Sequence, residues 1–372
     1  MQIQVSKKGQ LILSLRSISV FQFKNYQSSR FSFDERIIGI CGPNGTGKTN
    51  LVDAIYSLCF TKSYFNRSDQ QNVKHGEQGF RVEGDFELNG RPVKVTSILR
   101  ETGKKEFSAD GQVYDRISKH IGILPAVIIA PDDAELITGG SEERRRYLDT
   151  LFSQLDPEYL QELMAWNRVT AQRNVYLKSC ADKRLVNHYL LDTYDLQLSK
   201  HGSYIYRKRK EFIAGLLPLV TRFYAEIAGK DEDVTATYES QLHDSDLETL
   251  LKANREKDII LQRTSTGVHK DDLSFGLSDR PFKTEASQGQ RKSLLFSLKL
   301  AEFEILKQHK GFAPILLLDD VFEKLDETRI KNLLTEVCIR NQGQIFITDT
   351  HADRFAESMN YLGIKFYVVD IL

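Results

Sequence analysis

Cysteine is scarce and scattered: Cys41, Cys59, Cys180 and Cys338 are the four in 372 residues, with no CxxC pair. That spacing argues against a zinc site or a disulfide framework and fits a reducing compartment. No apolar run approaches the roughly 18 residues that a membrane span requires, and residues 1–8 lack the apolar core of a signal peptide. Net charge is missing too, since 51 basic and 51 acidic residues cancel. Any nucleic-acid contact must then come from local clusters or a paired assembly, not from a global field. Sustained heptads, internal repeats and low-complexity segments are also absent, which excludes an extended coiled coil. A cytoplasmic α/β protein with no membrane partner is the expectation, and the length leaves room for an ample core.

Against these absences stands one dense motif. Gly42-Pro43-Asn44-Gly45-Thr46-Gly47-Lys48-Thr49 is a complete Walker A phosphate loop. The apolar run Ile37–Cys41 precedes it as a buried strand, and Asn50–Leu58 follows with apolar residues at helical spacing. Strand, glycine loop and helix together turn backbone N–H groups and a helix dipole toward phosphate oxygens. Lys48 is placed to reach the β- and γ-phosphates, and the Thr49 hydroxyl to bind Mg²⁺. Residues 42–50 therefore predict a nucleoside triphosphate site.

Strands and turns dominate residues 11–130, including a hairpin from Phe80 to Val95 around Asn89-Gly90 and a buried strand Ala126–Ala130 stopped by Pro131. From about 141 to 230 the pattern turns helical. Ser141 is read as an N-cap, Asp156-Pro157 as a second start, and residues 186–217 as a long helix that Gly202 and Gly215–Pro218 weaken or end. The α/β pattern returns after about 232, with Ile315–Leu318 and Gln344–Thr348 as buried parallel strands and Lys365–Ile371 as a last one. The predicted division is 1–135, a first ATPase part; 136–262, an inserted helical lobe; and 263–372, the ATPase C-terminal part.

Ile315-Leu316-Leu317-Leu318-Asp319-Asp320 is a Walker B pattern, a buried strand delivering carboxylates at its C-terminal edge. Asp319 is assigned to Mg²⁺ and Asp320 to orienting or deprotonating the attacking water. Ser287-Gln288-Gly289-Gln290, 32 residues before Asp319, opens a helix read over Lys292–Lys307. A bare helix cap is the alternative meaning of those four residues. They resemble the signature of ABC-type ATPases, and Leu325-Asp326 falls where a D-loop belongs.

With those motifs, Phe23-Lys24-Asn25-Tyr26, Pro131-Asp132-Asp133, Glu143–Asp149, Gly267–Leu273 and Leu318–Asp326 make the chain similar to the RecF family of ABC/SMC-type ATPases, nearly end to end. The resemblance implies an ABC/SMC-type P-loop ATPase head with an inserted helical lobe and no long coiled coil. It implies weak, DNA-dependent ATP hydrolysis used as a switch, an ATP-driven dimer, binding of double-stranded and gapped DNA, and action with RecO and RecR mediators in recombinase loading during recombinational repair and replication restart. One departure is Tyr64-Phe65-Asn66-Arg67 after Ser63, where many relatives place an arginine sooner. His351 is a candidate counterpart of the switch histidine of transporter ATPases.

The signature and the phosphate loop lie at distant edges of one lobe, so a two-fold dimer in which each Ser287 meets the nucleotide on the partner's Lys48 is the economical arrangement. For DNA the candidates are Arg144, Arg145, Arg207, Lys208, Arg209 and Lys210, in two basic runs. A solvated helix face explains such runs as readily. Rival functions are the nucleotide-binding subunit of an ABC transporter, another SMC-like head, and a P-loop kinase. DNA-stimulated ATPase activity separates the first from the rest, and transfer of phosphate to anything but water marks the last.

Overall fold

The computed structural model describes residues 12–183, 185–320 and 326–371. In chain order it begins with strands β1 (Leu13–Phe23), β2 (Tyr26–Ser32) and β3 (Ile37–Cys41), then helix α1 (Lys48–Phe60). Strands β4 (Phe80–Leu88), β5 (Arg91–Leu99), β6 (Lys105–Ala109), β7 (Gln112–Val113) and β8 (Ala126–Ile129) follow. The short α2 (Glu135–Thr138) leads to a helical block of α3 (Ser141–Leu155), α4 (Pro157–Lys183) and α5 (His188–Ala228). Next come β9 (Val234–Glu239), α6 (Leu247–Ala253), α7 (Arg255–Leu261), β10 (Asp272–Leu277), β11 (Arg280–Pro281) and α8 (Phe282–Glu285). The C-terminal part is α9 (Gln288–Lys310), β12 (Ile315–Leu318), α10 (Glu327–Leu334), β13 (Ile345–Asp349), α11 (Ala352–Tyr361) and β14 (Tyr367–Asp370).

Three sheets organise these elements. One is antiparallel in the order β2-β1-β4-β5-β6-β7, one is the small β11-β10-β9, and one is parallel in the order β14-β3-β13-β12-β8. Strands β3, β8 and β12 of the parallel sheet are buried on both faces, as their unbroken apolar runs require, while β14 is a partly exposed edge. Their alternate side chains feed two different cores. Val127, Leu316, Leu318 and Ile347 join the core shared with the helical block. Ile38, Ile128, Leu317 and Phe346 join the one beneath α1 and the antiparallel sheet. The period-two geometry of a strand thus makes this sheet the wall between two hydrophobic masses.

The long helix departs from the expectation. α5 runs through Gly202, Gly215 and Pro218 to Ala228. Leu216 and Val220 on either side of the proline are fully buried, and packing of that face offsets the missing backbone bond. Gly202 lies inside the helix because a Cβ there would strike Trp166 and Leu247. Helix α3 starts at Ser141 itself, with Gly140 as its N-cap and no side-chain cap. Asp156 does cap α4, its Oδ1 accepting from the N–H groups of Glu158 and Tyr159 at 2.8 and 3.2 Å. All four cysteines are free and buried. Among the described residues no helix is long and apolar enough to cross a membrane.

Candidate nucleotide site

Parallel strand order places the chemistry. β13 lies between β3 and β12, so the loops leaving β3 and β12 open at the same edge with β13 as the spacer. From β3 comes the glycine loop. Gly42 and Gly47 hold φ of +150° and +115°, and a Cβ on them would run into the Ile371 carbonyl and the Asn25 amide respectively. Glycine alone fits this left-handed, close-packed cradle. Lys48 Nζ donates to the carbonyls of Gly42 and Pro43 at 2.7 and 2.9 Å, across the mouth of the loop.

The tight turn between β1 and β2 braces that loop from the side. Asn25 Nδ2 donates to the Thr46 carbonyl at 2.7 Å, and its Oδ1 accepts from Asn50 Nδ2 at 2.8 Å. Tyr26 Oη donates to the Gly47 carbonyl at 3.0 Å. Lys24, at φ +51°, pairs with buried Asp53 on α1 at 2.5 Å. The Phe23–Tyr26 motif is therefore a hairpin turn that clamps the phosphate loop and the first turns of α1.

From β12 comes the acidic pair. Thr49 Oγ1 donates to Asp319 Oδ2 at 2.9 Å and lies 3.1 Å from Oδ1. Thr348, the penultimate residue of β13, donates its hydroxyl proton to Asp319 Oδ1 at 2.9 Å. Thr348 Oγ1 in turn accepts the Asp320 N–H at 2.8 Å. Burial pushes the Asp319 carboxyl above its ordinary value, the Asp320 charge adds to that, and the two threonine hydroxyls act the other way. Asp320 itself stands at φ +54°, a left-handed conformation that non-glycine residues rarely hold without support from their surroundings.

A hydroxyl and a carboxylate, both hard oxygen donors, suit Mg²⁺, which keeps several waters and phosphate oxygens in its shell. No cluster of three or more His, Cys, Asp or Glu that could hold a metal occurs among the described residues, and a Thr–Asp pair shared with phosphate does not need one. The donor set thus fits the assigned metal.

The signature residues form the first turn of α9, which starts at Gln288 and not at Lys292. Ser287 is its N-cap: its Oγ accepts the Gln290 N–H at 3.2 Å, while Gln290 Oε1 accepts the Ser287 N–H at 2.9 Å. The helix-cap meaning is therefore realised, and it leaves Ser287 and Gln288 exposed at the head of a 23-residue helix with no acid in its first turn. An N-terminus so arranged favours an anion. Gln290 and Arg329 both bond to Glu232, at 3.0 and 3.1 Å. Arg329 also reaches the Gly289 carbonyl at 3.4 Å and Ser293 Oγ, and pairs with Asp326 at 3.2 Å. Asp326, the described half of the D-loop, caps α10; Leu325 lies outside the described residues. None of these bonds goes to the Gly42–Thr49 loop.

The basic runs fare differently from one another. Arg144 is spent on Asp272, with bonds of 2.6 and 2.9 Å. Arg209 is fully buried and paired with Asp149 and Asp271, each at 2.7 Å. Arg209 has no face left for solvent, which removes it from the DNA candidates, whereas Arg144 keeps a small exposed fraction beside its acid. Arg145 is half-buried and donates to the Asp271 carbonyl at 2.8 Å. Lys208 pairs with Asp156 and Glu211 at 3.7 and 3.1 Å. Arg207 and Lys210 are exposed, lying over the rings of Tyr204 and Tyr206. His351 is exposed at the N-cap of α11, with its N–H bonded to Asp349 Oδ1 at 2.9 Å.

A glycine cradle, a threonine–aspartate pair and a helix-end signature on one parallel sheet define an ABC/SMC-type ATPase head. The model of the RecF/RecN/SMC N terminal domain matches residues 14–370. The chain is 45% identical over 342 residues to the DNA replication and repair protein RecF of Flavobacterium johnsoniae, covering 92% of this chain and 95% of that one. Its identity to the protein of the same name from Cytophaga hutchinsonii is 42%, over 96% of this chain and 95% of the relative. A solved structure of the recombination mediator protein RecF-ATPrS in the RecFOR pathway superposes with a TM-score of 0.85 at 27% identity, over 97% of each chain. An Smc head domain from Pyrococcus furiosus superposes at 0.56 with 14% identity, over 97% of this chain and 94% of that one, a likeness of fold alone. The chain belongs to the RecF family.

Proposed function

We propose that the protein is an ATP-driven, DNA-binding switch of recombinational repair and replication restart, with residues 1–135 and 263–372 forming the ATPase and 136–262 the helical lobe. ATP sits on Gly42–Asn50, with Lys48 meeting its β- and γ-phosphates. Thr49 and Asp319 hold Mg²⁺, which when bound neutralises charge on the phosphates. Thr348 fixes the Asp319 carboxylate and the Asp320 backbone, and Asp320 orients or deprotonates the attacking water. Ser287, Gln288, Gly289 and Gln290 of a second copy complete each site, Asp326 follows the metal strand as part of the D-loop, and hydrolysis releases the dimer. Double-stranded and gapped DNA and RecO- and RecR-type mediators are its partners, in the cytoplasm.

The single observation that carries this reading is the split of the site. The Thr49–Asp319–Thr348–Asp320 constellation is assembled within one chain, while Ser287 is exposed and bonded away from it. Lys48→Ala is expected to abolish ATP binding in equilibrium titration. Ser287→Arg is expected to leave that binding intact and to prevent ATP-dependent dimers in light scattering. Dimers as strong as those of the unaltered protein in this second variant would falsify the shared site.

A further inference from the structure

A hollow of about 570 Å³ opens between the end of α1 and the helical block, and none of its lining residues belongs to the nucleotide site. Phe60 approaches it from the last turn of α1, Lys62 from just after that helix, Arg145 and Arg146 from α3, and Lys270 from the turn before β10. Leu160 and Leu163 make its apolar wall, and Trp166, the one tryptophan of the chain, borders it while itself buried. With Arg209, five cationic side chains line the hollow against two carboxylates, Glu142 and Asp149.

Those charges are poorly matched. Asp149 is already committed to Arg209, and Arg146 to Glu143. Arg145 has only a neutral carbonyl as hydrogen-bond acceptor. Lys62 and Lys270 have no ion-pair partner among the described residues. Lys62 and Lys270 are exposed at the rim of the hollow. Burial, followed by the Arg209 charge, pulls the Arg145 guanidinium below its ordinary value, while Asp272, Asp271 and Glu142 oppose that shift. In a protein whose total charge is zero, cations crowded this way mark a place that an anion would relieve. The volume lies in the range of small-ligand sites, and the wall is apolar and aromatic on one side.

We propose that this hollow is a second phosphate site, distinct from the Gly42–Thr49 loop, which takes one nucleotide unit with its phosphate on Lys62 and Lys270 and its base against the apolar wall. The unit is either a free nucleotide or part of a DNA strand; both present the same chemistry. Because the site is bounded by α1 on one side and the helical block on the other, its occupant would join the two.

Trp166 emission reads the site directly in the full-length protein. Thymidine monophosphate and a short oligothymidylate are titrated separately at low salt, against the unaltered protein and Lys62→Glu/Lys270→Glu. A saturable emission change with at least one probe is expected, weakened about tenfold or more in the double variant, whose basal ATP turnover stays unchanged. A response to the monophosphate identifies a free nucleotide as sufficient, and a response to the oligonucleotide alone identifies the strand. No response from folded protein to either probe, or equal affinity in the double variant, overturns the proposal. Retained ATP binding in Lys48→Ala, with the thymidylate response intact, would instead sink the reading of the glycine loop and leave this site standing.

Discussion

Thr348 carries more of the nucleotide site than its place in an apolar strand suggests. One hydroxyl holds both the metal-side carboxylate and the backbone of the left-handed Asp320. Thr348→Val keeps the shape and removes both bonds, leaving a buried N–H without an acceptor at roughly 1–3 kcal/mol. The expected result is ATP affinity within a fewfold of normal and turnover down at least tenfold; an unchanged turnover number would deny Thr348 this role. Local motifs pointed to Lys48, Thr49, Asp319 and Asp320 because their chemistry is spelled in consecutive residues, and the fold brings Thr49 and Asp319 into contact. Thr348 was illegible because its role exists only once β13 is inserted between β3 and β12. The same limit misled the reading of Arg209, whose acids, Asp149 and Asp271, come from other elements.

Helix α9 does two things at once: its first turn presents the signature, and its middle is anchored in the core beside the segment after β8. There Lys299 stands 3.7 Å from Asp133 and 3.9 Å from Glu302, under the rings of Tyr64 and Tyr147. Tyr64 in turn bonds to Asp133, and its N–H to Asp53 Oδ1 at 2.7 Å, so Tyr64 in place of an earlier arginine is a structural link to α1. Burial pushes the Glu302 carboxyl up to about 7, with Lys299 opposing and Asp133 adding. A carboxyl raised above its unfolded value favours the native state while protonated. That advantage is full below the unfolded value and is lost as pH rises toward 7. Glu302→Gln is therefore expected to gain stability relative to the unaltered protein between about pH 5 and 8, on the order of 3 kcal/mol, measured by urea unfolding. A constant difference across that range would place the pH response elsewhere. Helix existence was legible from apolar spacing, and the end of α5 was not, because Pro218 is outvoted by packing with partners remote in sequence.

For the whole molecule, zero net charge means that the proposed DNA binding has to come from local geometry, doubled by symmetry in the proposed dimer. Arg207 and Lys210 remain exposed on α5. If a dimer offers about six phosphate contacts, affinity should fall roughly a thousandfold between 50 and 200 mM salt. Arg207→Glu/Lys210→Glu should flatten that slope without shifting the melting temperature. Arg209→Ala should instead destabilise the fold by about 3–5 kcal/mol, by stranding buried carboxylates. A salt-independent affinity would remove the electrostatic account.

The fold class was readable because the strands flanking the glycine loop and the acidic pair are continuous apolar runs; their order was not. That order has a bearing on biosynthesis. A ribosome releases β3 and β8 early, yet the two are not neighbours, because β12 and β13 must slip between them. The glycine loop consequently has no finished floor until the chain has emerged past residue 349. Nascent protein must carry exposed apolar strands for most of its translation, and truncation before β13 leaves material for holdase chaperones instead of a smaller working enzyme.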